Sequence, residues 1–206
     1  WVDYVFLDTD ERRRFAQLSH EYLIEQLQFT GTDSITASSN ADNMKSVRMN
    51  FNHPCKELIW TVRRDAGGVG KPFWNNFSDC DLTNTGADTN PFVDTALAGT
   101  ASANTYTSNA NTIMNAKIML NGNDRFATRK GDYFSIVQPY QHHENTPDEK
   151  HKGINVYSFA LKPEEHQPSG TLNMSRIDTA VLSLSSSVTG TIFIYAVNYN
   201  VLRILS

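Results

Sequence analysis

The clearest signal along the chain is alternation of apolar and polar positions with a period of two, the mark of strands. Residues 154–161 carry it most plainly: Tyr157, Phe159 and Leu161 point one way, Val156, Ser158 and Ala160 the other. Lys162-Pro163 ends that strand, because proline lacks the N–H a ladder needs and holds its predecessor extended. A polar crossing broken by Pro168 and Gly170 follows, and Ile177 opens a further strand with Ala180, Leu182 and Leu184 on one face. Near the C-terminus Phe193, Tyr195, Val197, Tyr199 and Val201 line one face of a long strand, with Ile192, Ile194 and Ala196 on the other. Apolar residues on both faces predict a central strand. The predicted core is Tyr157, Phe159, Leu182, Leu184, Tyr195 and Val197.

The N-terminal half extends the pattern. Val2, Tyr4 and Phe6 alternate in a short first strand, and Asp8-Thr9-Asp10-Glu11 reads as a capping box opening a helix. Residues 20–29 suit helix or strand, and Gly31 with the Thr/Ser-rich run to Asn43 ends them. Val47, Met49 and Phe51, then Leu58, Trp60 and Val62, mark strands on either side of His53-Pro54. That dipeptide is a tight turn or a bulge. No Asn-Gly or Asp-Gly is present for a reversal, which favours a bulge in one long bent strand. Residues 113–120 form another strand, closed by the turn Asn121-Gly122-Asn123-Asp124, and residues 131–137 a short helix packing Tyr133, Phe134 and Val137 on a sandwich. Residues 141–152 read as a charged, His-rich loop.

Residues 64–111 differ in kind, being rich in Asn, Thr, Ala and Gly with scattered Phe73, Trp74, Phe77 and Phe92. Loops of this length rarely lack a purpose. The stretch reads as an elaborated surface insertion in a single domain, residues 1–206, rather than a linker between two.

Composition narrows the function classes. A length of 206 residues suffices for one full core, and a net charge of −4 gives no electrostatic case for gripping nucleic acid. Cys55 and Cys80 make no disulfide framework. No apolar run approaches the roughly 20 residues of a membrane helix. The chain opens on Trp1, directly in a strand-like pattern, which reads as a fragment or processed product.

Each candidate constellation for chemistry lacks a partner. Gly67-Gly68-Val69-Gly70-Lys71 has Asp65 and Pro72 where a phosphate loop needs glycine and a hydroxyl residue. His142, His143, Glu144 and His151 include metal-ligand types, but adjacent histidines on an extended chain point apart. Glu164, Glu165 and His166 are neighbours in sequence, not carboxylates facing across a bond. Cys55 near His53 has no orienting third group and reads as a small buried thiol. Arg12-Arg13-Arg14 is short and acid-flanked, a solvated helix face or an intersubunit ion pair. The expectation is therefore no catalytic residue, no metal and no cofactor. Of two glycosylation sequons, Asn76 is the candidate and Asn173 is discounted as part of an ordered loop.

Several segments together carry a family resemblance: YVFLDTDERRRFAQ at residues 4–17, HEYLIEQLQFTG at 20–31, NFNHPCKELIW at 50–60, LNGNDRF at 120–126, YFSIVQPYQHHENTP at 133–147 and YAVNYNVLRI at 195–204. The chain resembles the second jelly-roll domain of the major capsid proteins of nucleocytoplasmic large DNA viruses, the iridovirus and phycodnavirus type. That resemblance implies an all-β, eight-stranded jelly-roll sandwich with short helices and one long loop insertion. It implies a first jelly roll before Trp1 in a longer parent. It further implies homotrimeric pseudo-hexagonal capsomers in an icosahedral shell, with neighbouring capsomers and minor capsid proteins as partners and assembly in host cytoplasm. Direct nucleic-acid contact and membrane insertion are not expected. A surface carbohydrate-binding sandwich using exposed aromatics such as Trp74 is the alternative. The insertion is expected at the outward end of the sandwich, with residues 138–153 and 185–190 and away from residues 32–43 and 162–176.

Overall fold

The structure, a computed structural model, describes residues 1–64, 77, 111–145 and 152–205. Two antiparallel sheets face each other. One holds β1 (His20–Ile35), β10 (Gly190–Ile204), β3 (Pro54–Arg64) and β7 (Ile154–Ser158) in that order, with the short β8 (Leu172–Asn173) paired to β3. The other holds β2 (Lys45–Met49), β9 (Ala180–Ser186), β4 (Ile113–Leu120) and β5 (Asn123–Asp124), with β6 (Arg129–Lys130) also on β4. Successive long strands alternate between the sheets, so every inward face is buried by the strand that follows it. This is the jelly-roll arrangement.

The core is built by strict alternation. Leu58, Trp60 and Val62 of β3, Ile192, Ile194 and Ala196 of β10, and Leu182 and Leu184 of β9 meet between the sheets with almost no exposure. Trp60 packs on Phe134, ring centroids 5.1 Å apart, where a π-helical turn over Tyr133–Val137 seals the sandwich edge. That turn runs directly into α2 (Gln138–His142). At roughly 1.5–3 kcal/mol per fully buried large apolar side chain, this set is the main source of stability.

Local signals act where expected at several points. Asp8 caps α1 (Thr9–Gln17), its side chain accepting from Thr9 N at 2.7 Å. Asn121 and Gly122 both take positive φ, 51° and 80°, and form the two-residue turn between Leu120 and its partner Asn123. Residues 20–29 are strand, paired throughout with β10.

Four expectations are corrected. Residues 1–8 form no strand: they take no regular structure, pair with no strand among the described residues and are exposed. Gly31 does not end β1; at φ 104° it sits in a register shift between Phe29 and Thr32, and pairing resumes to Ile35. At His53-Pro54 the favoured bulge in one bent strand is overturned, and the alternative of a turn between two separate strands is what the structure has. β2 pairs β9 while β3 pairs β10 and β7, so the chain changes sheet there, turning at His53 with φ 68°. The bulge lies further on, at Lys56, which is skipped between the pairs Cys55–Asn198 and Glu57–Val197. Lastly, Tyr195 and Val197 belong to the outward face of β10, half-buried, while Ile192, Ile194 and Ala196 face the core. Both faces of that strand are apolar, so alternation alone cannot orient it. Tyr157 and Phe159 do turn inward but only half-buried against the core, and Leu161 is exposed.

The stems of the long insertion leave from one end of the sandwich. Arg64 pairs Gly190, Ile113 pairs Ser186, and Thr112 O accepts from Ser187 N at 2.9 Å. Ile35 pairs Gly190 and Ser38 N donates to Ser186 O, so the start of the 36–44 connection shares this end, against expectation. Residues 162–176 lie at the other end, where Leu172 and Asn173 pair Cys55 and Pro54. Phe73, Trp74 and Phe92 lie outside the described residues.

Candidate functional site

With no catalytic cluster predicted, the surface is where function must be sought. The outward face of the β1-β10-β3-β7 sheet is apolar at its centre. Cross-strand register sets Leu27 opposite Val197, Phe29 opposite Tyr195 and Leu23 opposite Val201 on that side. Phe29 stacks on Tyr195 with centroids 4.9 Å apart, and Arg63 lies over the Phe193 ring at 5.0 Å. Leu27 is 64% exposed, Val201 57% and Phe29 45%. The N-terminal arm also exposes Trp1, Val2, Tyr4, Val5 and Phe6. Apolar side chains clustered and exposed in this way on a sheet face are uncommon on a protein that stands alone in water.

At the end of the same face away from the insertion stems, the apolar band gives way to buried charge. The bulge at Lys56 turns its side chain outward, where the ammonium is almost fully enclosed, 2.8 Å from Glu25 Oε1 and over the Tyr199 ring. Glu25 also has His166 Nδ1 at 3.6 Å. Next to it, Glu57 and Glu164 hold His143 between them at 3.1 and 3.0 Å. The Glu57 carboxylate, ahead of Glu164, raises the His143 pKa above its ordinary value, against the opposing effect of burial. Glu164 in turn is lowered, first by the Glu144 N–H and then by His143. None of these residues was singled out from sequence as a buried ionic group. A lysine and a glutamate in consecutive positions of an apolar strand were the available signal.

The predicted chemical candidates separate. Glu164 faces His143, Glu165 pairs Lys162 at 2.9 Å, and His166 turns to Glu25, so these three do not converge. His142 Nδ1 sits 3.0 Å from Leu161 O, away from the His143 ring. Among the described residues no group of His, Cys, Asp or Glu is arranged to hold a metal, and His151 lies outside them. Cys55 is buried, its Sγ directed at Glu57 O at 3.1 Å, and burial pushes its pKa up to about 12, far from a thiolate nucleophile. Arg13 pairs with Asp10 at 3.8 Å on an exposed helix face. Asn173 Oδ1 accepts from Ser175 N and caps a short 3-10 turn. The glycosylation candidate Asn76 lies outside the described residues, as do Gly67–Lys71, Trp74 and Cys80.

The chain matches the family of large eukaryotic DNA virus major capsid proteins over residues 11–206. It is 48% identical to the major capsid protein of Pyramimonas orientalis virus and 46% identical to that of Paramecium bursaria Chlorella virus 1. These alignments cover 100% of this chain but 46% and 51% of those proteins, so it spans about half their length. Among solved structures it is similar to a subunit of the quasi-atomic model of the PBCV-1 virus capsid, with a TM-score of 0.75 and 42% identity over 98% of this chain and 54% of that one. The Faustovirus major capsid protein, at 16% identity and a TM-score of 0.62, shares the fold. The carbohydrate-binding alternative gains no support from these relatives. Matched nearly end to end by these capsid proteins, the chain belongs to the major capsid protein family of large eukaryotic DNA viruses.

Proposed function

We propose that this chain is the C-terminal jelly roll of a longer two-jelly-roll shell protein, and that three copies of the parent form a pseudo-hexagonal capsomer in an icosahedral capsid. The observation that carries this reading is the exposed apolar face around Phe29, Leu27 and Val201, an area too apolar to be left in water by a protein present in many copies. Its partners are then its own parent chain, two further copies, neighbouring capsomers and minor capsid proteins. Nucleic acid is not contacted directly, and assembly takes place in host cytoplasm. The end carrying the insertion stems faces outward, where loop length is free to vary.

Sedimentation of the full-length parent tests the oligomer: a trimer is expected at micromolar concentration. A monomer at every concentration, with the Phe29 face solvent-accessible to surface labelling, would overturn the reading. Selective binding of the domain on a glycan array would favour the carbohydrate-binding alternative instead.

A further inference from the structure

Both ring nitrogens of His143 meet carboxylates. Nε2 lies 3.1 Å from Glu57 Oε2 and Nδ1 lies 3.0 Å from Glu164 Oε1. A neutral imidazole has one N–H and one lone pair, so it would set a lone pair against one of those anionic oxygens. Only the imidazolium offers a proton to both. The Glu57 contact is an ion pair set off the N–H direction, without hydrogen-bond alignment, so charge rather than geometry holds it. The His143 and Glu57 side chains are 13% and 10% exposed, which strengthens charge effects between them.

The three residues come from three separate pieces of chain. Glu57 is on β3, His143 follows α2, and Glu164 is in the crossing between β7 and β8. The connection grips the crossing twice more. Glu144 N donates to Glu164 Oε2 at 3.0 Å, and His142 Nδ1 meets Leu161 O. Other charged groups nearby are Glu144 itself, Lys162 paired with Glu165, and the Lys56, Glu25 and His166 cluster on the same sheet face. Val197 of β10, opposite Glu57, adds no charge.

We propose that His143 is a protonation-dependent latch, holding the connection of residues 131–145 against β3 and the crossing of residues 161–171, and that alkaline conditions release it. The sign follows from linkage. His143 is raised in the folded state, so its contribution is complete below its unfolded value of about 6.5 and is lost as pH rises through the folded value. Glu164 is shifted down and stays ionised across that window. Loss of the proton leaves the enclosed Glu57 carboxylate facing a neutral ring, an arrangement that favours local opening to water.

The test combines NMR titration of the histidine rings, from about pH 5 to about pH 9, with backbone hydrogen exchange on the same protein. The His143 midpoint is expected above about 6.5. Exchange in residues 138–145 and 161–171, corrected for its intrinsic pH dependence, is expected to rise about tenfold for each unit by which the ring is shifted. Glu164→Gln, at a half-exposed position that does not threaten folding, should lower the midpoint and carry the opening to lower pH with it. His143→Gln should exchange fast at every pH. A midpoint at or below about 6.5, an opening that stays put when Glu164→Gln moves the midpoint, or wild-type protection in His143→Gln at about pH 6 would each overturn the latch.

Discussion

Phe29 of β1 and Tyr195 of β10 stack with ring centroids 4.9 Å apart on the outward side of their sheet, not in the core. The strand pair therefore spends its largest side chains on a surface. Such a pair adds about 0.5–1.5 kcal/mol within the monomer, little beside the area it leaves uncovered.

Phe29→Ala is accordingly expected to lower monomer stability by only about 1 kcal/mol, while Leu27→Asp should leave it nearly unchanged. Both substitutions should disrupt assembly of the full-length parent. Denaturant midpoints of the domain, set beside sedimentation of the parent, separate the two effects. Intact assembly in Leu27→Asp would show that the face is not an interface.

The inward face behaves oppositely. Leu182→Ala removes a fully buried side chain and should cost about 2–5 kcal/mol. Phe159→Ala, half-buried at the margin of the core, should cost less than the roughly 3–5 kcal/mol of a fully enclosed aromatic. Urea midpoints at constant slope measure both, and equal losses would contradict the burial described above.

Two glycines are required for different reasons. Gly122 has open space around it but φ 80°, so Gly122→Ala should cost about 1–2 kcal/mol through backbone conformation alone. At Gly190 a Cβ would meet Arg63 O at 2.2 Å, so Gly190→Ala must push β10 off β3 at the insertion stem. Thermal denaturation should rank Gly190→Ala as the more damaging. The reverse order would mean that β10 shifts there at little cost.

Cys55 is enclosed and its thiol is shifted to about 12. In a Cys80→Ser background, a thiol reagent at neutral pH should not react until the domain unfolds, and the reaction rate should follow denaturant concentration. Rapid modification of the native protein would show that the end of β3 opens locally.

Lys56 and Glu25 should be coupled. Glu25→Gln leaves an enclosed ammonium without its carboxylate and should cost roughly 1–3 kcal/mol. Lys56→Met in the same background should recover part of that loss, because a buried pair is costly mainly when broken. Strict additivity in the double-mutant cycle would remove the pair from the account.

Alternation, capping and turn chemistry depend on near neighbours in the chain, and these were legible without coordinates. The Asp8 cap, the Asn121-Gly122 turn, the inward Leu182 and Leu184 and the central place of β10 all follow from such local rules. The family segments, from residues 4–17 to 195–204, pointed to the same fold. What stayed hidden depends on contacts between distant residues. β10 is apolar on both faces, so only the opposing sheet decides that Ile194 is core and Tyr195 surface. The change of sheet at His53 exists because β2 finds β9 while β3 finds β10, partners more than a hundred residues away. The arm at Val2–Leu7 has a strand's pattern but pairs with none of the described strands, although β1 is itself an edge. The His143 cluster joins three segments that have no common motif, and an ionic contact between distant residues leaves no period in a sequence. Pattern specifies which residues suit a sheet, whereas pairing, which sums hydrogen bonds and burial over the whole domain, selects which sheet and which face.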